Sequence, residues 1–240
     1  MTISLVVPAY NEEDSIENLF TLVSSFSEIC SDQVELFVVE NGSLDFTRAK
    51  LSKLSKKNNP FVTRILELDV NVGYGGALKK GLASSSSETI MLIPADGKYS
   101  LGALVECYQK FVERGSTNSM VKGNRTSRND PRTIRFLSFL YTSLSNVLFR
   151  NSLKDINGLP KVFNIHLVKE HIEILPDNAC FDAGLIALWR KKGGDFCEVP
   201  VHFEQQFLGS ASWAGKRFRV SFAMFAELLR FSHGNLRRVS

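Results

Sequence analysis

Short runs of aliphatic and β-branched residues alternate along this chain with longer stretches in which apolar residues recur at helical spacing. The runs Ile3–Val7, Val34–Val39, Thr63–Leu68, Thr89–Ile93 and Ser119–Lys122 predict strands. Between them, Glu12–Ile29, Leu44–Lys57, Tyr74–Ser84 and Leu101–Arg114 predict helices. Val34–Val39 and Ile90–Ile93 carry few polar residues on either face, as expected of strands covered by helices on both sides. The alternation predicts an α/β fold of βαβ units around a mainly parallel sheet.

From about residue 124 the pattern changes. Arg132–Arg150 has Ile134, Leu137, Leu140, Tyr141, Leu144, Val147 and Leu148 near helical spacing and predicts one long amphipathic helix. A loop at Lys154–Leu159, a short strand at Lys161–Phe163 and a helix from about Ile165 follow. Phe181–Lys192 predicts a further helix stopped by Gly193-Gly194, and Phe196–Phe203 alternates as a late strand. The expected organisation is one domain over residues 1–214, with halves of about 1–123 and 124–214. A basic amphipathic helical segment over 215–240 follows it.

Composition narrows the class without deciding it. The 240 residues are 44% hydrophobic and 22% charged, an ordinary soluble globular balance with ample length for one core. The net charge is +4, too mild to point to nucleic acid. The excess lies late, at Arg125, Arg128, Arg132, Arg135 and Arg150, then at Lys216, Arg217, Arg219, Arg230, Arg237 and Arg238. That asymmetry suits an anionic substrate or a membrane surface, or serves solubility alone. Cys30, Cys107, Cys180 and Cys197 show no metal-ligand spacing and predict free thiols in a reducing compartment. The chain opens directly on a strand rather than a signal peptide. It has no uncharged apolar run of about 18 residues, so a cytoplasmic protein is expected, at most peripheral on the inner face of the membrane.

In such a sheet ligands bind beyond the carboxyl ends of the strands. The loops there read Pro8-Ala9-Tyr10-Asn11-Glu12-Glu13, Glu40-Asn41-Gly42-Ser43-Leu44-Asp45, Asn71-Val72-Gly73-Tyr74-Gly75-Gly76 and Pro94-Ala95-Asp96-Gly97-Lys98. Together they offer a ring for stacking, acceptors for a base or ribose, and glycines that let backbone NH groups approach phosphate. Each piece also has a bland reading. Asn11, Asp14, Ser43 and Asp45 suit helix caps, and the glycines suit a turn into a helix. No Gly-x-Gly-x-x-Gly follows the first strand, which argues against a dinucleotide-dependent dehydrogenase. A nucleotidyltransferase is a third class, distinguished by pyrophosphate release.

The ordered set of motifs resembles glycosyltransferase family 2, the inverting enzymes of the GT-A fold. The resemblance rests on Val6–Glu13, on Asn71–Ala77 with Gly81, on Gly123-Asn124-Arg125, on Asp155-Ile156-Asn157-Gly158, and on Glu198–Val201 with Gly209-Ser210. The later blocks look like the dolichyl-phosphate mannose synthase branch. The resemblance implies transfer of a sugar from a nucleotide-sugar donor to a polyprenyl phosphate, or to a lipid-linked or glycan acceptor. It implies that Pro8, Ala9, Tyr10 and Glu12 frame the base and ribose, and that Glu40 stands where an aspartate usually bonds the base. Gly42, Asn71, Gly76 and Ala95 would complete the donor pocket. Asp96 matches the second acid of the Asp-x-Asp metal motif. Arg125, Arg132, Arg135, Ser210 and Arg217 would face donor or acceptor phosphate.

Three departures matter. Pro94 replaces the first acid of the metal motif and Lys98 stands two residues after Asp96, so a Mg or Mn cofactor loses a carboxylate and meets an ammonium. Two readings follow: metal-independent transfer, with Lys98 and arginines stabilising the leaving diphosphate, or a protein that binds a nucleotide sugar but has lost transfer or serves in regulation. Gln206 stands where relatives carry a basic residue. Glu40-Asn41 replaces the commoner paired aspartates. For a hydroxyl acceptor, Asp155 and Asp182 are the candidate general bases, and Asp182 equally suits the first turn of a helix.

Overall fold

The computed structural model describes residues 2–96, 99–127, 132–202 and 213–239. Strands β1 (Thr2–Ala9), β2 (Gln33–Asn41), β3 (Val62–Leu68) and β4 (Thr89–Leu92) alternate with helices α1 (Ile16–Ile29), α2 (Thr47–Ser55) and α3 (Tyr74–Ser84). Helix α4 (Leu101–Arg114) leads to β5 (Ser119–Ser127), α5 (Arg132–Phe149), β6 (Lys161–Asn164), α6 (Phe181–Lys191), β7 (Asp195–His202) and α7 (Trp213–His233). The sheet order is β3-β2-β1-β4-β6-β5-β7. Strands β3, β2, β1 and β4 pair parallel, as do β5 and β7, while β6 runs against its neighbours on both sides. The expected α/β architecture with a mainly parallel sheet is the one observed.

The central strands are buried along nearly their whole length, and the edge strand β3 alternates between partly covered and open positions. Helices cover the sheet in two groups. Helix α1 packs against α2 and α4, and α3 packs against α6, which meets α5 and α7. Gly81 allows α3 to close on the sheet, since a Cβ there would lie 2.7 Å from Val6 and 2.9 Å from Val39. Rings tie the second half together, with Phe163 edge-on to Trp189 at 5.6 Å and Tyr141 edge-on to Phe225 at 5.7 Å.

Two expectations about elements need correction. Helices α1 and α2 start later than their apolar periodicity suggests, because Asn11, Glu12 and Glu13 bond to Ser43, Leu44, Asp45, Phe46 and Thr47 across the two loops instead of opening the helices. The segment from Ile165 is two 3-10 turns, Ile165–Leu167 and Lys169–Ile174, rather than an α-helix. Its β-branched residues disfavour the helix, and Asn164 draws the His166 amide to its own side chain at 3.1 Å. Among the described residues no helix is long and apolar enough to cross a membrane.

Candidate active site

Strand register brings the sequence-predicted loops to one edge of the sheet. Ala9 lies opposite Glu40, and Glu40 opposite Glu67. The loops after β1 and β2 then interlock. The Leu44 amide donates to Asn11 Oδ1 at 2.8 Å, and the Asn11 amide donates to Ser43 Oγ at 3.1 Å. The Glu12 amide donates to Thr47 Oγ1 at 2.8 Å, and the Phe46 amide to Glu13 Oε2 at 2.8 Å. Asn11 holds this arrangement from a left-handed backbone, φ 54°. Asn11 and Ser43 thus join loops rather than cap helices, whereas Asp45 accepts from the Thr47 amide at 3.0 Å, as a cap does.

Asn41 joins the second loop to the third. Its Oδ1 accepts from the Val72 amide at 3.0 Å, and its Nδ2 donates to Asn71 Oδ1 and to the Gly73 carbonyl, both at 3.2 Å. Gly42, at φ +71°, lets these loops touch, because a Cβ would sit 2.6 Å from the Val70 carbonyl carbon. Pro8 and Ala9 end β1, and the Tyr10 ring beyond them is 39% exposed and accessible for stacking.

Several residues expected in the donor pocket have partners within the fold. The Glu40 side chain has no exposed surface, and both its oxygens are taken. Oε1 accepts from the Ser43 amide at 2.6 Å and Oε2 from Arg48 Nε at 2.8 Å. Arg48 also donates to the Leu68 carbonyl at 2.7 Å, so Glu40 organises the loops instead of presenting a carboxylate to a base. Gly76 is likewise turned inward, its amide donating to the Asp177 carbonyl at 3.0 Å. Gly73 and Gly75 serve the same close approach, since Cβ atoms there would lie 2.4 Å from the Asp177 carbonyl oxygen and 2.0 Å from that of Pro176. Asn71 remains exposed beside them, and Ala95 is buried.

The centre of the site is a cluster of charges and phenols. Asp96 lies close enough to bear on both the Tyr74 and the Tyr99 phenols. Burial raises both, and Asp182 adds to the effect at Tyr74, so both stay protonated. Arg125 is committed to Asp155 in a two-pronged ion pair, Nε to Oδ2 at 2.6 Å and a terminal nitrogen to Oδ1 at 2.8 Å. Asp182, in the first turn of α6, pairs with Lys161 Nζ at 2.6 Å, and both side chains are almost wholly enclosed. Arg125 therefore does not present an uncommitted cation to phosphate, and neither Asp155 nor Asp182 is an uncommitted base.

Sequence reasoning missed the two lysines behind this cluster. Lys122 and Lys161 are fully buried and directly opposite in the β5–β6 register. Burial, then Lys161, lowers the Lys122 ammonium to about 8. Lys122 is held by the Asp155 carbonyl, by the Gly123 carbonyl at 3.0 Å and by Glu198 at 3.4 Å. Glu198 also accepts from the Lys154 amide at 2.9 Å, fixing the loop that carries Asp155. The available signal was a lysine set among apolar strand residues, in Met120-Val121-Lys122 and Lys161-Val162-Phe163.

Arg132 and Arg135 are exposed at the start of α5. Lys98 and Ser210 lie outside the described residues, as does the side chain of Arg217. A divalent cation finds a thin donor set. Among the described residues no three His, Cys, Asp or Glu side chains come together, and Asp96 is the single acid of its loop.

Comparison with known proteins accords with the fold and the ordered loops. The model of glycosyl transferase family 2 matches residues 4–170. A prophage bactoprenol glucosyl transferase homolog of Escherichia coli is 28% identical over 189 residues, covering 78% of this chain and 60% of that protein. A dolichyl-phosphate beta-glucosyltransferase of Drosophila melanogaster is 34% identical over 102 residues, covering 40% of this chain and 31% of that protein. The chain thus spans less than two thirds of the length of either relative. Glucosyl-3-phosphoglycerate synthase from Mycobacterium tuberculosis, solved with phosphoglyceric acid, superposes with a TM-score of 0.72 at 20% identity, covering 96% of this chain and 80% of that one. The same synthase was also solved with Mn2+, uridine diphosphate and glucosyl-3-phosphoglycerate, and that structure gives a TM-score of 0.68 at 19% identity, covering 95% and 79%. With the family match extending from the first strand through the Asp155 loop and the short strand β6, the chain belongs to glycosyl transferase family 2.

Proposed function

We propose that this chain is a nucleotide-sugar-dependent, inverting glycosyltransferase whose acceptor arrives as an ionised phosphate of the polyprenyl-phosphate class. The observation that carries this reading is the commitment of both candidate bases, Asp155 to Arg125 and Asp182 to Lys161. A carboxylate held by a buried cation is a poor proton acceptor, and a sugar hydroxyl needs a good one. A phosphate oxygen needs only alignment. It attacks the anomeric carbon as the bond to the nucleoside diphosphate breaks, the diphosphate leaves with the electron pair, and no proton moves.

In this reading Tyr10, Glu12, Asn71 and the Gly42 loop enclose the nucleoside, and Asp96 contacts the donor. Lys98 with Arg132, Arg135 and Arg217 meets the phosphates of donor and acceptor, so transfer has no strict cation requirement. Helix α5 supports a lipid acceptor. Phe136, Phe139 and Val147 lie on one side of it at 60%, 64% and 77% exposure, and the stretch from Arg132 to Arg150 holds three arginines and no acid. Such a face suits peripheral contact with an anionic membrane.

The test is incubation with radiolabelled uridine-diphospho-sugars and a polyprenyl phosphate in micelles, with and without chelator. The expected outcome is an acid-labile glycosylated lipid phosphate and one nucleoside diphosphate released per transfer, persisting in chelator. Transfer only to sugar hydroxyls, or only with added Mn2+, would overturn the respective part. The loss of the first metal-motif acid at Pro94 favours a second reading, a nucleotide-sugar-binding protein without transfer. Donor binding with no turnover on any acceptor would establish it.

A further inference from the structure

A row of three charged side chains crosses the sheet behind the Arg125–Asp155 pair. In the strand register Lys122 of β5 lies opposite Lys161 of β6 on one side and opposite Glu198 of β7 on the other. The Lys122 side chain is fully enclosed and that of Glu198 nearly so. A buried ion pair seldom stabilises a fold beyond what apolar residues of the same volume would give. The distances point to a different use for this one. The Glu198 carboxylate lies 3.4 Å from Lys122 Nζ, yet it accepts from the Lys154 amide at 2.9 Å and from the Asp155 amide at 3.2 Å. Its shorter bonds go to the backbone of the loop that carries Asp155, and Lys122 donates to the Asp155 carbonyl.

That loop is tied to the site at several points. The Arg125 amide donates to Asp155 Oδ2 at 3.3 Å, beside the two guanidinium bonds. The Gly123 amide donates to the Pro160 carbonyl at 2.8 Å. Gly158 approaches β5 so closely that a Cβ there would sit 2.0 Å from the Gly123 carbonyl oxygen. The Tyr99 phenol meets the Leu159 backbone and feels both Arg125 and Asp155, and Tyr99 follows Asp96 closely in sequence. A shift of the backbone at Lys154 and Asp155 therefore displaces the Arg125–Asp155 pair and disturbs the Asp96 loop beside it.

We propose that Glu198, together with Lys122, is a positioning residue for sugar transfer, fixing the backbone at Lys154 and Asp155 and through it the orientation of the Arg125–Asp155 pair against Tyr99. The proposal rests on the reading of the chain as a glycosyltransferase. Among the described residues the Glu198 side chain bonds only to Lys122, Lys154 and Asp155, apart from the nucleoside loops after β1, β2 and β3. It therefore acts on the rate of transfer and not on the binding of the nucleotide.

The test joins hydrogen exchange to kinetics on the full chain. In Glu198→Ala, exchange at the Lys154 and Asp155 amides, mapped by mass spectrometry, should rise about tenfold or more as their acceptor is lost. Turnover of a uridine-diphospho-sugar should fall about ten- to hundredfold in kcat, as a displacement of roughly 1 Å would cause, while the calorimetric Kd for uridine diphosphate stays within about twofold. Glu198→Gln keeps an acceptor oxygen for both amides and should recover kcat to within about threefold. In an Asp155→Asn background the loss caused by Glu198→Ala should shrink to about twofold, because residues that act through one another are not additive. Should Glu198→Ala fail to fold, adding Lys122→Met removes the stranded ammonium, and the same readouts apply to the double variant. Unchanged exchange overturns the proposal. So does raised exchange with normal kcat, or an equal loss in both backgrounds, either of which makes Glu198 merely structural. Uridine diphosphate binding by the unaltered chain without turnover on any acceptor overturns instead the transferase reading, and the positioning role with it.

Discussion

Replacing Lys161 by Met isolates the buried ion pair at the floor of the site. Nζ of Lys161 lies 2.6 Å from Asp182 Oδ1, with 0% and 6% of the two side chains exposed. The variant strands a carboxylate in the interior, and breaking such a pair costs about 3–5 kcal/mol. For a chain of this size each kcal/mol shifts the melting temperature by about 2–4 °C, so a fall of roughly 6–20 °C at pH 7 is expected. Adding Asp182→Leu to Lys161→Met removes the stranded charge and should restore most of the loss. The pH dependence gives a sharper check. Without the ammonium, burial favours the neutral carboxyl in the folded state, whereas an aspartate of the unfolded chain ionises at about 3.9. Below that value both states are protonated and the penalty is absent. As pH rises, the unfolded chain ionises first, so the deficit grows. Calorimetry from pH 4 to pH 7 measures it. Equal melting temperatures at pH 7, or a deficit that does not change with pH, would refute the assignment of a buried, charged pair.

Gly75→Ala places a Cβ 2.0 Å from the Pro176 carbonyl oxygen, and should cost at least about 1–3 kcal/mol by chemical denaturation, as overpacking does. Asn41→Ala removes three bonds between the second and third loops. It should raise the donor KM about tenfold, with kcat changed less, because the loops lose their fixed spacing. Burial raises the thiols of Cys107 to about 12 and Cys180 to about 11. Alkylation at pH 7.5 should therefore leave both unmodified in the folded protein while reacting with all four cysteines after denaturation, as peptide mapping would show.

The architecture was legible because strand burial and helical periodicity are local signals. Tyr74–Ser84 and Leu101–Arg114 carry them with clean ends, a glycine before one helix and after the other, and both helices have the expected bounds. The starts of α1 and α2 were not legible, since Asn11, Glu13 and Asp45 bond across loops more than thirty residues apart. The site was legible as a set of loops but not as a set of roles. Glu40 in sequence is a carboxylate at a binding loop; only the position of Arg48 shows that it is enclosed. Arg125, Asp155 and Asp182 read as separate phosphate and proton-transfer candidates, and tertiary pairing turned them into two ion pairs. The glycines after β3 suggested phosphate approach, and what approaches them is the backbone of Pro176 and Asp177. Lys161 and Lys122 carried the faintest signal, because a lysine in a strand ordinarily reaches solvent.

The central claim is that the acceptor brings its own negative charge to a site whose carboxylates are already committed. The direct measurement is the pH dependence of kcat/KM for a prenyl phosphate at saturating donor. The account predicts that the rate rises with pH through the second ionisation of the phosphate, at about 6, and then stays level. A rate that instead follows an enzyme carboxylate titrating near 4, with no step at the phosphate ionisation, would contradict it.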